Sequence, residues 1–165
     1  MSRHSAILPV FIWAPEEESP WPPGAASRWW LHHSLDALQA SLTERGSRLI
    51  VRRGHTVESL LALATESGAR SIFWNRRYEP AAIARDRELE RRLRERGIAG
   101  ESCPGNILFE PGTILNAGGK PFQVFTSFWR ACLSMPTPEQ PSPAPTRIPA
   151  PTEWPASLAI SELNL

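Results

Sequence analysis

The chain has 165 residues, about one domain on a scale of roughly 100–200 residues per domain, and 41% of them are apolar. This content is typical of a folded protein with its own core, since disordered chains are less apolar. The 18 basic residues nearly balance the 17 acidic ones, so the net charge of +1 gives no overall attraction to nucleic acid or membranes.

The sequence also argues against export and membrane insertion. The longest apolar runs, such as residues 10–14, are far shorter than the roughly 20 residues that span a bilayer. Residues 1–14 lack the cleavage site of a signal peptide. Cys103 and Cys132 do not have the spacing of a metal site or a disulfide framework, which indicates a reducing cytoplasm and no metal ligands.

Short β-branched or aromatic runs alternate along the chain with helical patterns. Strands are predicted at residues 7–13, 48–52, 71–75 and within 98–103, and helices at residues 28–44, 56–67 and 81–96. Because strands and helices alternate with short connections, the pattern predicts an α/β protein with a Rossmann-like parallel sheet covered by helices on both faces.

The prolines divide the chain into two parts. Eight of the 17 fall within residues 136–155, where apolar residues show almost no periodicity. This composition predicts an extended linker. We therefore predict a folded domain over residues 5–135 and a Pro-rich linker over residues 136–165. The residues that follow Trp154 look too few to bury a side chain of their own.

The third predicted helix carries a charged pair on its apolar face. Arg85 and Asp86 lie on the same stripe as Ala82, Leu89 and Leu93. A charge on such a face must be paired or hydrogen-bonded. Two interpretations stay open: an ion pair that ties the helix to a loop, or an arginine that presents its guanidinium to an anionic ligand.

Motifs for chemistry are scarce. Ligands of parallel α/β sheets bind at the carboxyl ends of the strands, which here are followed by residues 14–28, 53–56 and 75–81. None of these segments contains a glycine-rich phosphate motif, and no catalytic triad is apparent, so we predict no catalytic residues. Four tryptophans on or beside apolar elements are interpreted as packing residues, with stacking on a flat ligand as the alternative. They are Trp29, Trp30, Trp74 and Trp129.

Four runs in succession resemble the photolyase/cryptochrome family. They are SPWPPGAASRWWLHHSLDALQASL, GSRLIVRRG, IFWNRRYEPAAIARDRELERRL and GTILNAGGKPFQVFTSFWRACL. The resemblance covers residues 7–133 and is to the N-terminal, antenna-binding α/β domain of a deoxyribodipyrimidine photolyase.

The resemblance implies a fragment of a light-driven, FAD-dependent DNA repair lyase that splits cyclobutane pyrimidine dimers. In this family a separate helical domain binds FAD and the damaged DNA, so both partners would act through a domain that this chain does not contain. The chain alone is then expected to be inactive. Two alternatives stay open: a fragment of a cryptochrome blue-light photoreceptor, and an α/β nucleotide-binding or adaptor module without photochemistry.

The resemblance also implies that a strand is missing. Family members usually begin with a strand and loop of the form xxWFRRDLRLxDN, and that strand lies in the middle of a five-stranded sheet. This sequence begins directly on what resembles the second strand, residues 6–15. We therefore expect two pairs of strands separated by a gap that leaves backbone groups unpaired.

The antenna implied by the resemblance is a deazaflavin or another flavin. Folate-binding members have Asn-Glu where this chain has Ala81 and Ala82, which can make neither hydrogen bond, so folate is disfavoured. Among the positions that contact a deazaflavin in the family, Arg28 and Arg85 keep the family's arginine, whereas Arg77 replaces an acid. An empty antenna site is the alternative. The candidate cofactor-binding residues are Trp13, Arg28, Asn75, Arg77, Glu79 and Arg85.

Overall fold

The computed structural model describes residues 5–18, 20–105, 107–138 and 140–165, and in them strands and helices alternate as predicted. The elements in chain order are β1 (Val10–Trp13), a 3-10 helix (Pro15–Glu18), α1 (Ala25–Glu44), β2 (Ile50–Arg53), α2 (Thr56–Ser67), β3 (Ser71–Asn75), α3 (Pro80–Glu95), β4 (Ala99–Cys103), α4 (Phe125–Leu133) and a 3-10 helix (Ile160–Leu163). The predicted α/β class is confirmed. None of the helices in these ranges is long and apolar enough to cross a membrane.

Helix α4 was not predicted from the sequence. Six of its nine residues, FTSFWRACL, are Phe, Trp, Thr, Ser or Cys, which are weak helix formers. The residue before it, Val124, makes no side-chain cap, so the usual signal for a helix start is missing. Local propensity alone therefore does not reveal this helix.

The strands form two separate parallel sheets of two strands each. β1 pairs with β2, and β3 pairs with β4, both in parallel. Two-stranded sheets are only marginally stable by themselves, so each relies on the helices packed against it. The expected division of the strands into two pairs is confirmed for the residues that the structure describes.

Two apolar clusters pack the helices against the strands. One joins β1, β2 and α1 through Trp13, Leu35, Leu42, Leu49 and Val51. The other joins α2 to α3 through Val57, Leu61, Leu89 and Leu93, with side chains of β3 packed against it. Helix α2 also contacts β1, so this one helix touches both halves of the molecule.

The C-terminal segment packs against the folded domain, which corrects the expectation that it buries nothing. Ile160 and Leu163 belong to the β1–β2–α1 cluster, and Leu163 exposes only 1% of its surface. The Leu158 amide donates to the Val51 carbonyl at 3.0 Å, and the Ser157 hydroxyl accepts from the Val51 amide at 2.9 Å. Residues 157 and 158 therefore cover the outer edge of β2.

The proline-rich segment before it has no helix or strand in its described part, residues 136–138 and 140–155, as predicted. It is nevertheless anchored. The Arg48 guanidinium lies 4.9 Å from the Trp154 ring centroid and donates to the Pro155 carbonyl at 2.9 Å. The Ile148 amide donates to the Arg45 carbonyl at 2.9 Å. The division of the chain at residues 135 and 136 stays a prediction.

The packing role predicted for the tryptophans is wrong for three of the four. Trp29 and Trp30 on α1 expose 61% and 69% of their surface, and Trp129 on α4 exposes 50%. Only Trp74 is partly buried, against the α2–α3 cluster. Both α1 and α4 thus have apolar faces that the described residues do not cover.

Replacing Leu163 by alanine should lower the free energy of unfolding by about 2–5 kcal/mol, because it removes apolar contacts of a side chain that exposes only 1% of its surface. Chemical denaturation of the whole chain measures this loss. Leu108→Ala is the matched control, since Leu108 is 70% exposed and its truncation should change stability by less than about 0.5 kcal/mol. Equal effects of the two substitutions would mean that the C-terminal segment is not docked.

Candidate antenna site

A cavity of about 360 Å³ lies at the carboxyl ends of β1 and β2, where α/β sheets bind their ligands. Its size is within the range of small-molecule sites. Trp13 and Pro15 form the strand-end side of the lining, and Leu163 and Asn164 bring the C-terminal segment to it. The lining is completed by Pro22, Pro23, Arg28 and Arg53.

Two guanidinium groups belong to this lining. Arg28 lies in the first turn of α1, and Arg53 is the last residue of β2. Both are exposed, and within the described part of the chain neither side chain has a hydrogen-bond or ion-pair partner. Because α1 begins at this end of the sheet, its backbone N–H groups add positive potential there. The cavity thus combines an apolar wall with unpaired positive charge.

Sequence reasoning found Trp13 and Arg28 but missed Arg53, Leu163 and Asn164. Arg53 follows directly from a predicted strand, and the rule that ligands bind at strand ends could have identified it. The two C-terminal residues have no comparable signal, because only the folded structure brings them beside β1.

The other predicted arginines lie in a second cluster, at the carboxyl ends of β1 and β3. Arg77 donates to Glu18 at 2.7 Å and to Glu79 at 3.1 Å. These hydrogen bonds, Glu18 first, raise the pKa of Arg77 and keep its guanidinium protonated. The space between these residues and Arg85 is only about 20 Å³, enough for roughly one water molecule. This cluster is filled by its own ion pairs.

Arg85 is one of those paired groups. Its Nη2 and Nε donate to the Asp86 carboxylate at 2.8 and 3.0 Å, and its Nη1 lies 4.0 Å from Glu17. Asp86, only 8% exposed, also accepts from the Trp74 indole N–H at 3.0 Å. Of the two interpretations of this charged stripe, the structure therefore agrees with the ion pair. Trp74 is the partner that the helical pattern could not show.

Glu17 joins β1 to the start of α2. Its carboxylate accepts from the Thr56 backbone amide at 2.6 Å and from the Thr56 hydroxyl at 2.7 Å. The residue before α2, His55, makes no side-chain cap. A carboxylate from another segment thus satisfies an orphan amide at a helix N-terminus, where negative charge is favourable.

Asn75, the remaining candidate, lines neither cavity. A Cβ atom added at Gly105 would lie 2.7 Å from the Asn75 Cβ, so the chain after β4 passes directly over this residue. Beside it, Glu110 accepts from the Tyr78 hydroxyl at 2.6 Å and from Arg76 at 2.9 Å. The Tyr78 hydrogen bond, followed by the Arg76 ion pair, lowers the pKa of Glu110. This network fastens the segment after β4 to the end of β3.

The fold is an α/β domain of the Rossmann-like type, with a candidate ligand cavity at the carboxyl ends of β1 and β2. Comparison with known proteins identifies its family: the family model for DNA photolyase matches residues 1–148. The chain belongs to the DNA photolyase family.

Individual relatives agree with this assignment. The chain is 40% identical over 159 residues to a deoxyribodipyrimidine photo-lyase of Agrobacterium fabrum, covering 96% of the chain and 33% of that relative. It is 41% identical over 148 residues to cryptochrome-1 of Arabidopsis thaliana, covering 88% and 22%. The crystal structure of a class III photolyase from Agrobacterium tumefaciens superposes with a TM-score of 0.87 at 38% identity, covering 95% and 32%. The chain thus spans about a third of the length of the photolyases that it matches.

Replacing Asp86 by alanine should cost about 3 kcal/mol of unfolding free energy, because it leaves the Trp74 N–H and the Arg85 guanidinium without their partner in a largely buried place. Thermal and urea unfolding measure the loss. Glu88→Ala on the same helix is the control, since Glu88 pairs with Arg91 at the surface and such pairs contribute about 0–1 kcal/mol. A loss below about 1 kcal/mol for Asp86→Ala would contradict the buried network.

Proposed function

We propose that the chain is the antenna-binding α/β part of a deoxyribodipyrimidine photolyase, a light-driven, FAD-dependent lyase that splits cyclobutane pyrimidine dimers in DNA. The observation that carries the antenna assignment is the cavity at the ends of β1 and β2, with Trp13 in its wall and Arg28 and Arg53 unpaired in its lining. Family membership and the similarity to photolyases support the reaction.

The proposed antenna is a deazaflavin or a flavin. Trp13 and the prolines offer an apolar surface to a flat ring system, and the two arginines suit an anionic side chain or phosphate. When bound, such a group would absorb light and pass the excitation energy on. The chain's own residues would hold the ring against the strand ends and keep water from one of its faces.

The proposed partner is the helical part of the photolyase, which binds FAD. Damaged DNA would be a partner only through that helical part. The exposed apolar face of α4 supports a further contact, since Phe125 and Leu133 are largely exposed there. Within the described residues both cysteines are free thiols, which suits the reducing cytoplasm that we propose for the protein.

A cryptochrome photoreceptor is the second candidate. The identity to cryptochrome-1 of Arabidopsis thaliana is as high as that to the photolyase. Both functions would use the same antenna cavity, so the site described here is compatible with either one.

Flavin mononucleotide is a practical probe of the cavity, because it combines a flavin ring with a phosphate. We expect it to bind the whole chain with quenching of flavin fluorescence. Arg28→Ala and Arg53→Ala should each weaken binding about tenfold, the effect of losing one charge-assisted hydrogen bond. Arg94→Ala, on the exposed face of α3, should leave the affinity unchanged. If neither Arg28→Ala nor Arg53→Ala changed the affinity for flavin mononucleotide, the cavity would be excluded as the binding site.

The chain alone should not repair DNA. Repair in the proposed reaction needs electron transfer from reduced FAD to a dimer held in the helical part. The purified chain, supplied with FAD and reductant under blue light, should therefore leave thymine dimers intact, as measured by chromatography of the irradiated oligonucleotide. Repair, or purification with one FAD per chain, would show that the catalytic parts were assigned to the wrong region.

A further inference from the structure

We propose that Asn164 contacts the ligand in the cavity at the carboxyl ends of β1 and β2, and that it selects ligands with a ring amide. Its side-chain amide would form two hydrogen bonds with a ring N–H and the carbonyl beside it. This inference deepens the proposed antenna function and rests on it. It concerns recognition of the ring itself, whereas the two cavity arginines suit an anionic tail.

The first step is the hydrogen-bonding chemistry of the lining, which consists mainly of donors. Trp13 offers one indole N–H, and Arg28 and Arg53 offer only guanidinium N–H groups. The prolines and Leu163 have no polar side-chain atom. Among the lining residues that the structure describes, Asn164 alone has a side-chain oxygen that can accept a hydrogen bond. A ligand N–H in this cavity would therefore find its side-chain acceptor at Asn164.

The second step is that the Asn164 side chain is available to a ligand. It is exposed, and within the described part of the chain its amide has no hydrogen-bond partner. Asn116 provides a contrast, because its side-chain oxygen accepts from the Gly118 and Lys120 amides at 2.9 and 3.1 Å. The side chain of Asn116 thus stabilises its own turn, whereas that of Asn164 has no such role.

The backbone of Asn164 does not explain its side chain either. Asn164 ends the C-terminal 3-10 helix with a φ of 53° and a ψ of 51°, in the left-handed region. It is the only non-glycine residue with a positive φ in the part of the chain that the structure describes. Asn adopts this region more readily than most residues, but glycine does so more readily still. Glycine therefore meets the backbone requirement and removes only the side-chain amide.

The turn that carries Asn164 is held firmly beside the cavity. Leu163 exposes 1% of its surface and Ile160 exposes 5%. The Glu162 carboxylate accepts from the Ala159 amide at 2.6 Å, and the 3-10 helix contacts α1. Because this turn is already ordered, a ligand that binds Asn164 avoids much of the entropic cost of ordering a loop.

A side-chain amide matches the edge of a ring amide. Its NH₂ group donates to the ring carbonyl while its oxygen accepts from the neighbouring ring N–H, which is the kind of two-bond contact that Asn makes with the edge of adenine. Flavins and deazaflavins have such an edge, an N–H flanked by two carbonyls. Asn164 would thus favour these chromophores over a flat aromatic ring of the same size that has no amide.

The test compares flavin mononucleotide with its N3-methyl derivative, in which a methyl group replaces the ring N–H. Binding to the whole chain is followed by flavin fluorescence. The unsubstituted chain should bind the methylated flavin about tenfold more weakly. Asn164→Gly should bind flavin mononucleotide about tenfold more weakly and should no longer distinguish the two flavins. If Asn164→Gly still distinguished them by the same factor, the proposal would be overturned.

Ser161→Gly is the matched control for loosening of the C-terminal segment. Ser161 is an exposed residue of the same 3-10 helix and does not line the cavity, so its replacement should leave both affinities unchanged. An equal loss of discrimination in Ser161→Gly would overturn the role of the Asn164 side chain. If Asn164→Gly does not fold by circular dichroism, the unsubstituted chain still provides a test. Equal affinities for the two flavins would show that no group of the site binds the ring N–H.

Failure of this inference and failure of the proposed function give different results. If binding of flavin mononucleotide depends on Arg28 and Arg53 but not on Asn164, the cavity remains the binding site and the role of Asn164 is wrong. If flavin mononucleotide does not bind, or if none of the three substitutions weakens its binding, both the antenna cavity and the role of Asn164 are wrong.

Discussion

Backbone pairing at strand edges is the constraint on which the rest of this structure depends. A parallel strand inside an α/β domain needs a partner on both edges, because helices cover its faces and little water reaches it. In the β1–β2 sheet β2 meets this condition, since β1 pairs with one of its edges and residues 157 and 158 cover the other. The C-terminal segment docks where it satisfies both polar groups of Val51, and that explains why a proline-rich stretch leads into a buried core.

The same docking connects stability to the ligand cavity. Leu163 packs in the β1–β2–α1 cluster and also lines the cavity beside Trp13. A ligand that binds only when this wall is in place stabilises the docked segment by mass action. Binding of a ligand in this cavity and attachment of the C-terminal segment would therefore be linked in free energy, so that a change that loosens one would weaken the other.

Sequence reasoning succeeded where the signal is local. β3 and α2 have the predicted bounds because a β-branched and aromatic run or a leucine periodicity ends at a clear break, such as Gly68. It failed where contacts are distant in the chain. The burial of Leu163, the indole bond from Trp74 to Asp86 and the position of Arg53 beside Arg28 all join segments from different parts of the chain. The periodicity of a single helix can show that a charged side chain lies on an apolar face, but it cannot show which group forms a hydrogen bond or ion pair with that side chain.

The arginines of the two strand-end clusters show how pairing separates structural from binding roles. Arg77 and Arg85 are held by carboxylates, so a ligand anion would have to displace Glu18, Glu79 or Asp86 and leave a charge uncompensated. Within the described part of the chain, Arg28 and Arg53 have no carboxylate partner, so a ligand anion would displace only water from them. An anionic ligand is therefore favoured at the β1–β2 end and disfavoured at the β1–β3 end, although both lie on the same edge of the fold.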